Sequence, residues 1–193
     1  MVGRSIRPDD RDVRRLRPLI LLLSAAWILG TASPAAAAGG HYVFSGGTAK
    51  QQGQVKAALD ASAFDWNLVP TQIAIHIAPG MDSEATLGNI WLDASLLNAG
   101  IFSWGVVQHE YAHQLDFAVL TDAMRVQLHP LLGGSSWWDG DHAALDCERF
   151  ADLVAWSYWQ SPDNVMKPQL AAPRFRAALD ALLRMVRARP SKG

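Results

Sequence analysis

The stretch from Ile101 to Leu120 constrains the fold more than any other part of this chain. It is mostly apolar, yet it carries His109, Glu110 and His113 near its centre. The run is too long for a strand, and Val106, Val107, Tyr111, Leu115 and Ala118 recur with helical spacing, so the pattern predicts a helix. Tyr111 and Ala112 suit a buried one. Residues four apart lie on one helical face, so His109 and His113 present their imidazoles in the same direction.

Two imidazoles on one face suit a single zinc ion, each at about 2.0–2.1 Å. Glu110 projects along the edge of that face, where it can reach a water at the ion without ligating the ion itself. His109-Glu110-Tyr111-Ala112-His113 thus has the H-E-x-x-H form: two ligands and a general base from one turn. A catalytic zinc takes three protein ligands plus water, so a third ligand is expected elsewhere. The extended form H-E-x-x-H-x-x-G-x-x-H/D is absent, because Asp116 stands at the glycine position and Val119 at the last ligand position.

Downstream, Cys147-Glu148-Arg149-Phe150-Ala151-Asp152 sets two carboxylates four apart on a second expected helix. Together the two segments resemble the gluzincin zinc metallopeptidases, in which H-E-x-x-H is followed by E-x-x-x-D. The resemblance implies that Glu148 is the third metal ligand. It also implies that Asp152 accepts a hydrogen bond from a metal-bound histidine, most naturally His109, and fixes its orientation. The likeness covers about residues 48–160 and implies a minimal zincin-like domain. In that family a small sheet precedes the motif helix, and its edge strand binds extended peptide by main-chain hydrogen bonds. Gly88 to Asp93, which includes Trp91, occupies the corresponding place in the order.

The chain has 193 residues. Residues 1–18 hold six arginines and three aspartates, Leu19 to Gly30 is apolar, and Pro34 to Gly40 is built of small residues. Positive start, apolar middle and small-residue end describe an export signal, expected to be cleaved after Ala38. The alternative is a membrane anchor, but the apolar run is shorter than the roughly 20 residues a bilayer span needs. Arg14-Arg15 hints at twin-arginine export, although Arg17 and Pro18 follow where apolar residues belong. Residues 39–193 then make one domain outside the cytoplasm, secreted or in the cell envelope, with no stable membrane insertion after signal removal.

Of 17 Lys+Arg and 18 Asp+Glu in the whole chain, that domain keeps 11 and 15. A net charge of about −4 without a basic stripe argues against nucleic acid as a partner. Cys147 is the only cysteine, so stability must come from packing and a metal rather than from disulfides.

The remaining pattern predicts an α+β domain, helix, short sheet and then mostly helices. A helix is expected from Thr48 to about Trp66, and strands over Thr71–Ala78 and Thr86–Asp93. A loop is expected from Pro130 to Asp141, then a helix from His142, capped by Asp141, to about Gln160. Arg174–Arg189 reads as a closing amphipathic helix.

Candidates of lower rank remain. His142 and Tyr158 are both candidate donors to a developing oxyanion. Trp137-Trp138 lies in a Gly/Ser-containing loop and either lines a substrate cleft or covers the core. Cys147 reads as a buried apolar residue. Asp116 either orients His113 or is a surface charge. The expected activity is zinc-dependent hydrolysis of a peptide or protein substrate. Two alternatives stay open: a zinc-stabilised envelope binding module with His142 as a fourth ligand, or a zinc amidase acting on non-protein amides.

Overall fold

The computed structural model describes residues 39–168 and 171–188; the expected signal segment lies outside them. The described chain is α+β, a small mixed sheet followed mainly by helices. No helix among the described residues is long and apolar enough to cross a membrane.

Strand β1 (Tyr42–Gly46) leads into helix α1 (Ala49–Ala61), which crosses over to β2 (Ile73–Ala78). Strands β3 (Glu84–Thr86) and β4 (Asn89–Asp93) follow, and the sheet order is β1-β2-β4-β3. The β1–β2 and β2–β4 pairs are parallel, and β3–β4 is antiparallel. Helices α2 (Ala94–Leu97), α3 (Trp104–Ala118), α4 (Asp122–Leu132), α5 (Asp146–Tyr158) and α6 (Ala172–Arg187) complete the order.

Period-two alternation drives the sheet. Ile73, Ile75 and Ile77 of β2, with Ile90 and Leu92 of β4, point into the core, and the alternate residues are more exposed. Helix α1 starts at a reciprocal capping box, in which the Thr48 hydroxyl accepts from Gln51 N and the Gln51 side chain accepts from Thr48 N. It ends at Ala61 rather than near Trp66, since Ser62 turns to extended backbone and Trp66 folds back to donate its indole N–H to Leu59 O. The segment expected as one strand over Thr86–Asp93 is a hairpin: β3 and β4 are joined through Leu87-Gly88, where Gly88 takes φ 79°.

Besides β3, the sequence pattern missed β1, α2 and α4. Strand β1 is mostly exposed, so it shows little apolar alternation. Helix α4 buries Met124, Leu128 and Leu132 at four-residue spacing and runs through Pro130, which reads in sequence as the start of a loop. Pro130 gives no N–H bond back to the preceding turn and crowds the carbonyl there, and Gly133 soon ends the helix in the left-handed region at φ 68°. The last long helix before α6 begins at Asp146 rather than His142. His142–Ala144 forms a separate 3-10 turn, and Asp141 makes no capping bond through its side chain.

Gln114 fixes the sheet against the motif helix. It is fully buried on α3, accepts from Gly88 N at 2.8 Å and donates to Thr86 O at 2.8 Å and Asn89 O at 3.0 Å. One side chain thus satisfies three backbone groups of the β3–β4 hairpin. Each such bond contributes about 1 kcal/mol net, so the three together contribute about 3 kcal/mol. Gln114→Ala should therefore lower the unfolding free energy by about 3 kcal/mol in urea titrations; a loss below about 1 kcal/mol would show that the hairpin is held by other contacts.

Candidate metal centre and cleft

Helix α3 carries His109, Glu110 and His113 in its buried middle, and the three form a cluster able to hold a metal ion, with one ligand atom from each within 4.8 Å of the others. The two Nε2 atoms stand 3.2 Å apart. Helix α5 packs alongside and brings Glu148 to the same point, with Oε2 3.3 Å from His109 Nε2 and Oε1 3.6 Å from His113 Nε2. From one turn further along α5, Asp152 Oδ1 accepts a hydrogen bond from His109 Nδ1 at 2.9 Å. That bond leaves His109 Nε2 facing the cluster.

These spacings test whether a metal fits. A tetrahedral ion with ligands at about 2.0–2.1 Å holds neighbouring ligand atoms about 3.3 Å apart. The two imidazole nitrogens stand 3.2 Å apart, and each has one Glu148 oxygen close to that edge length, Oε2 at 3.3 Å from His109 and Oε1 at 3.6 Å from His113. Glu110 belongs to the cluster, within 4.8 Å of both histidines, and Glu148 adds a second carboxylate to it from α5.

The electrostatics agree. Burial alone would pull the His109 imidazole down, but hydrogen bonds to Asp152 and Glu148 more than reverse this and raise it to about 10. Burial would likewise raise Glu148, yet its bonds to His109 and His113 hold it well below the usual carboxylate range. The surroundings favour positive charge at this point, as a cation site requires. Glu110 is different: burial pushes its carboxyl up, with the two histidines pulling the other way. A raised carboxyl is suited to taking up a proton.

The cluster opens into a cleft of about 500 Å³. Ser83, Glu84 and Ala85 form one wall, Phe117 and Trp138 another, and Val106, His142, Cys147 and Met166 complete the lining. Edge strand β3 therefore borders the cleft, whereas the segment Gly88–Asp93 holds the internal strand β4. Trp91 does not line the cleft. Its position in β4 alternates with core residues Ile90 and Leu92, and its ring stacks on His76 of β2 at 5.2 Å.

The other candidates sort as clearly. His142 lines the cleft, largely exposed, with Nε2 3.2 Å from Glu148 Oε1. Tyr158 does not reach it: the hydroxyl donates to Asp180 of α6 and the ring packs edge-on to Phe64, so a role as oxyanion donor is ruled out by position. Trp138 lines the cleft, but its neighbour Trp137 turns inward and donates its indole N–H to Asp116 at 2.9 Å. Asp116 is neither a surface charge nor the partner of His113. It is fully buried and accepts from Arg125 Nε and from Trp137, both at 2.9 Å. Cys147 is buried as expected but borders the cleft, its thiol pushed up to about 12 by burial and then by the Glu148 charge.

Sequence reasoning missed Gln114 and the Asp116–Arg125–Trp137 contact. A polar residue inside an apolar helix was the available signal, since such groups need buried partners.

No protein-family model matches the chain, and comparison with curated proteins and with solved structures finds none similar to it. The fold and site accordingly define a class and no family: an α+β domain with a candidate metal centre of histidine and glutamate on its central helix. In calorimetric titration the protein should bind one equivalent of Zn²⁺. His109→Ala and His113→Ala should abolish that binding, and Asp152→Ala should weaken it by about 10- to 100-fold. Unchanged affinity in all three variants would place any metal elsewhere.

Proposed function

We propose that this protein is a zinc-dependent metallopeptidase with a gluzincin-type site, acting outside the cytoplasm. The observation that carries the reading is the convergence of His109, His113 and Glu148 at tetrahedral ligand spacing, with Glu110 adjacent and the whole group open to a cleft. A purely structural metal site has no use for the fourth group or for the opening. His109, His113 and Glu148 would hold the ion, and Asp152 would keep His109 in the right tautomer.

Zinc bound there supplies Lewis acidity, polarising a carbonyl oxygen and acidifying a water. The chain's own residues do the rest. Glu110 takes the proton from the attacking water and delivers it to the departing amine nitrogen as the C–N bond breaks. His142, exposed in the cleft beside Glu148, is placed to donate a hydrogen bond to the carbonyl oxygen as negative charge develops on it. Main-chain groups of β3, the last strand in the sheet, offer an extended peptide a partner along the cleft wall.

That edge strand favours a peptide substrate over a small non-protein amide, which would leave it unused. The open cleft and the presence of Glu110 weigh against a silent binding module. The positively charged start, apolar run and small-residue tract at Pro34–Gly40 support export.

Glu110→Gln tests the reading. The variant should fold and keep its metal while hydrolysis of a peptide mixture falls by about 10²- to 10⁴-fold, the usual contribution of a positioned base. Full activity in the metal-loaded variant would remove Glu110 from the mechanism.

A further inference from the structure

A row of near-parallel rings leads away from the reacting centre. The His113 imidazole and the Phe117 ring are 6.0 Å apart at 20°, and Phe117 and Trp138 are 5.8 Å apart at 17°. His113 and Phe117 are four residues apart on α3, so the helix sets their stacking. Trp138 comes from the loop after α4, and the loop is anchored in the residues just before it. Trp137 donates to Asp116 of α3, Gly134 N donates to the buried Asp146 at 2.8 Å, and Asp146 N donates to Ser136 O at 2.8 Å. Gly134 is required at this anchor, since a Cβ there would stand 2.2 Å from Asp146 Oδ1. Arg125 backs the Trp138 ring at 5.4 Å with its nitrogens already committed to Asp116 and Asp122.

Two adjacent tryptophans therefore do opposite things. Trp137 is spent on holding the loop, and Trp138 is left 47% exposed on the cleft wall. Holding an exposed indole on a pinned loop gains the fold little and gives a ligand a pre-organised surface.

We propose that Phe117 and Trp138 form a side-chain subsite that selects peptide substrates carrying an aromatic residue next to the bond to be cut. The row begins at His113, so the side chain it meets belongs to a residue flanking the reacting carbonyl. An aromatic side chain entering the cleft packs against the exposed part of Trp138 and the cleft side of Phe117, and an edge-to-face or offset ring contact there adds to the simple burial of apolar area. An acidic side chain is disfavoured at the same place, because Glu84, Glu110 and Glu148 border the cleft and no lysine or arginine among the described residues lines it. The subsite rests on the peptidase reading above, and its test separates the two.

The test measures binding of matched peptides to zinc-loaded Glu110→Gln protein by fluorescence anisotropy. The peptides differ at one residue: Phe, cyclohexylalanine, Ala or Glu. Phe should bind at least about tenfold tighter than Ala and measurably tighter than cyclohexylalanine, with Glu weakest. Adding Trp138→Ala should remove most of the Phe preference, and Trp138→Phe should retain it, which separates loss of the ring from loss of the fold. Wild-type protein should cut a peptide mixture beside aromatic residues. Equal binding of Phe and Ala, or a Phe preference that survives Trp138→Ala, overturns the subsite. Cleavage without aromatic preference would also overturn it while leaving the peptidase standing. An aromatic preference in binding with no cleavage by the wild type upholds the subsite and removes the peptidase.

Discussion

The hydrogen bond from His109 Nδ1 to Asp152 joins the helix that carries the histidines to the helix that carries the carboxylates. Everything at the candidate centre depends on that pairing of α3 with α5. On α3 alone, the four-residue spacing gives two imidazoles on one face and nothing to complete a coordination shell. On α5 alone, Glu148 and Asp152 are two carboxylates on a half-exposed face. Packed together, Glu148 meets both Nε2 atoms while Asp152 holds the far side of one ring. The aliphatic and aromatic contacts that seat the pair, among them Leu115, Phe150, Leu153 and Val154, are fully buried. Core packing thus sets positions that the chemistry needs to within a fraction of an ångström.

A second set of contacts places the cleft walls relative to that centre, and it too radiates from α3. Gln114, the residue after His113, grips the β3–β4 hairpin, and Asp116, two further on, grips the loop bearing Trp138. The motif helix therefore serves as the reference body: one side chain fixes the strand wall and another fixes the aromatic wall. Both are buried polar groups with full sets of partners, the condition under which such groups impose one arrangement rather than loosen the core.

The parts legible in the sequence were those governed by local periodicity. The helical period of Ile101–Leu120, the four-residue spacing of His109 and His113, and the alternation of Ile73, Ile75 and Ile77 all express themselves over a few neighbouring residues. Glu148 and Asp152 stood out as candidates because their spacing repeats the same helical rule on a second helix, and the structure sets both beside His109. What could not be read was facing. Trp91 lies in a strand that precedes the motif helix and Tyr158 at the end of the helix that carries Glu148, but one points to the far side of the sheet and the other to α6, which only tertiary packing decides. The strand beside the cleft was misassigned by one hairpin turn for the same reason: Leu87-Gly88 reverses the chain and puts Glu84–Thr86 on the edge. Pro130 hid α4, because proline inside a helix is unfavourable and reads in sequence as a break.

On the proposed reading, His109, His113 and Glu148 together hold one metal ion with a coordination position left open to the cleft. X-ray absorption at the zinc edge of the loaded protein tests this most directly. The predicted spectrum shows two imidazole nitrogens at about 2.0–2.1 Å with the remaining ligands oxygen, in four- to five-fold coordination and with no sulfur. A sulfur shell at about 2.3 Å, which would bring in Cys147, or a third imidazole, which would close the site through His142, would contradict it.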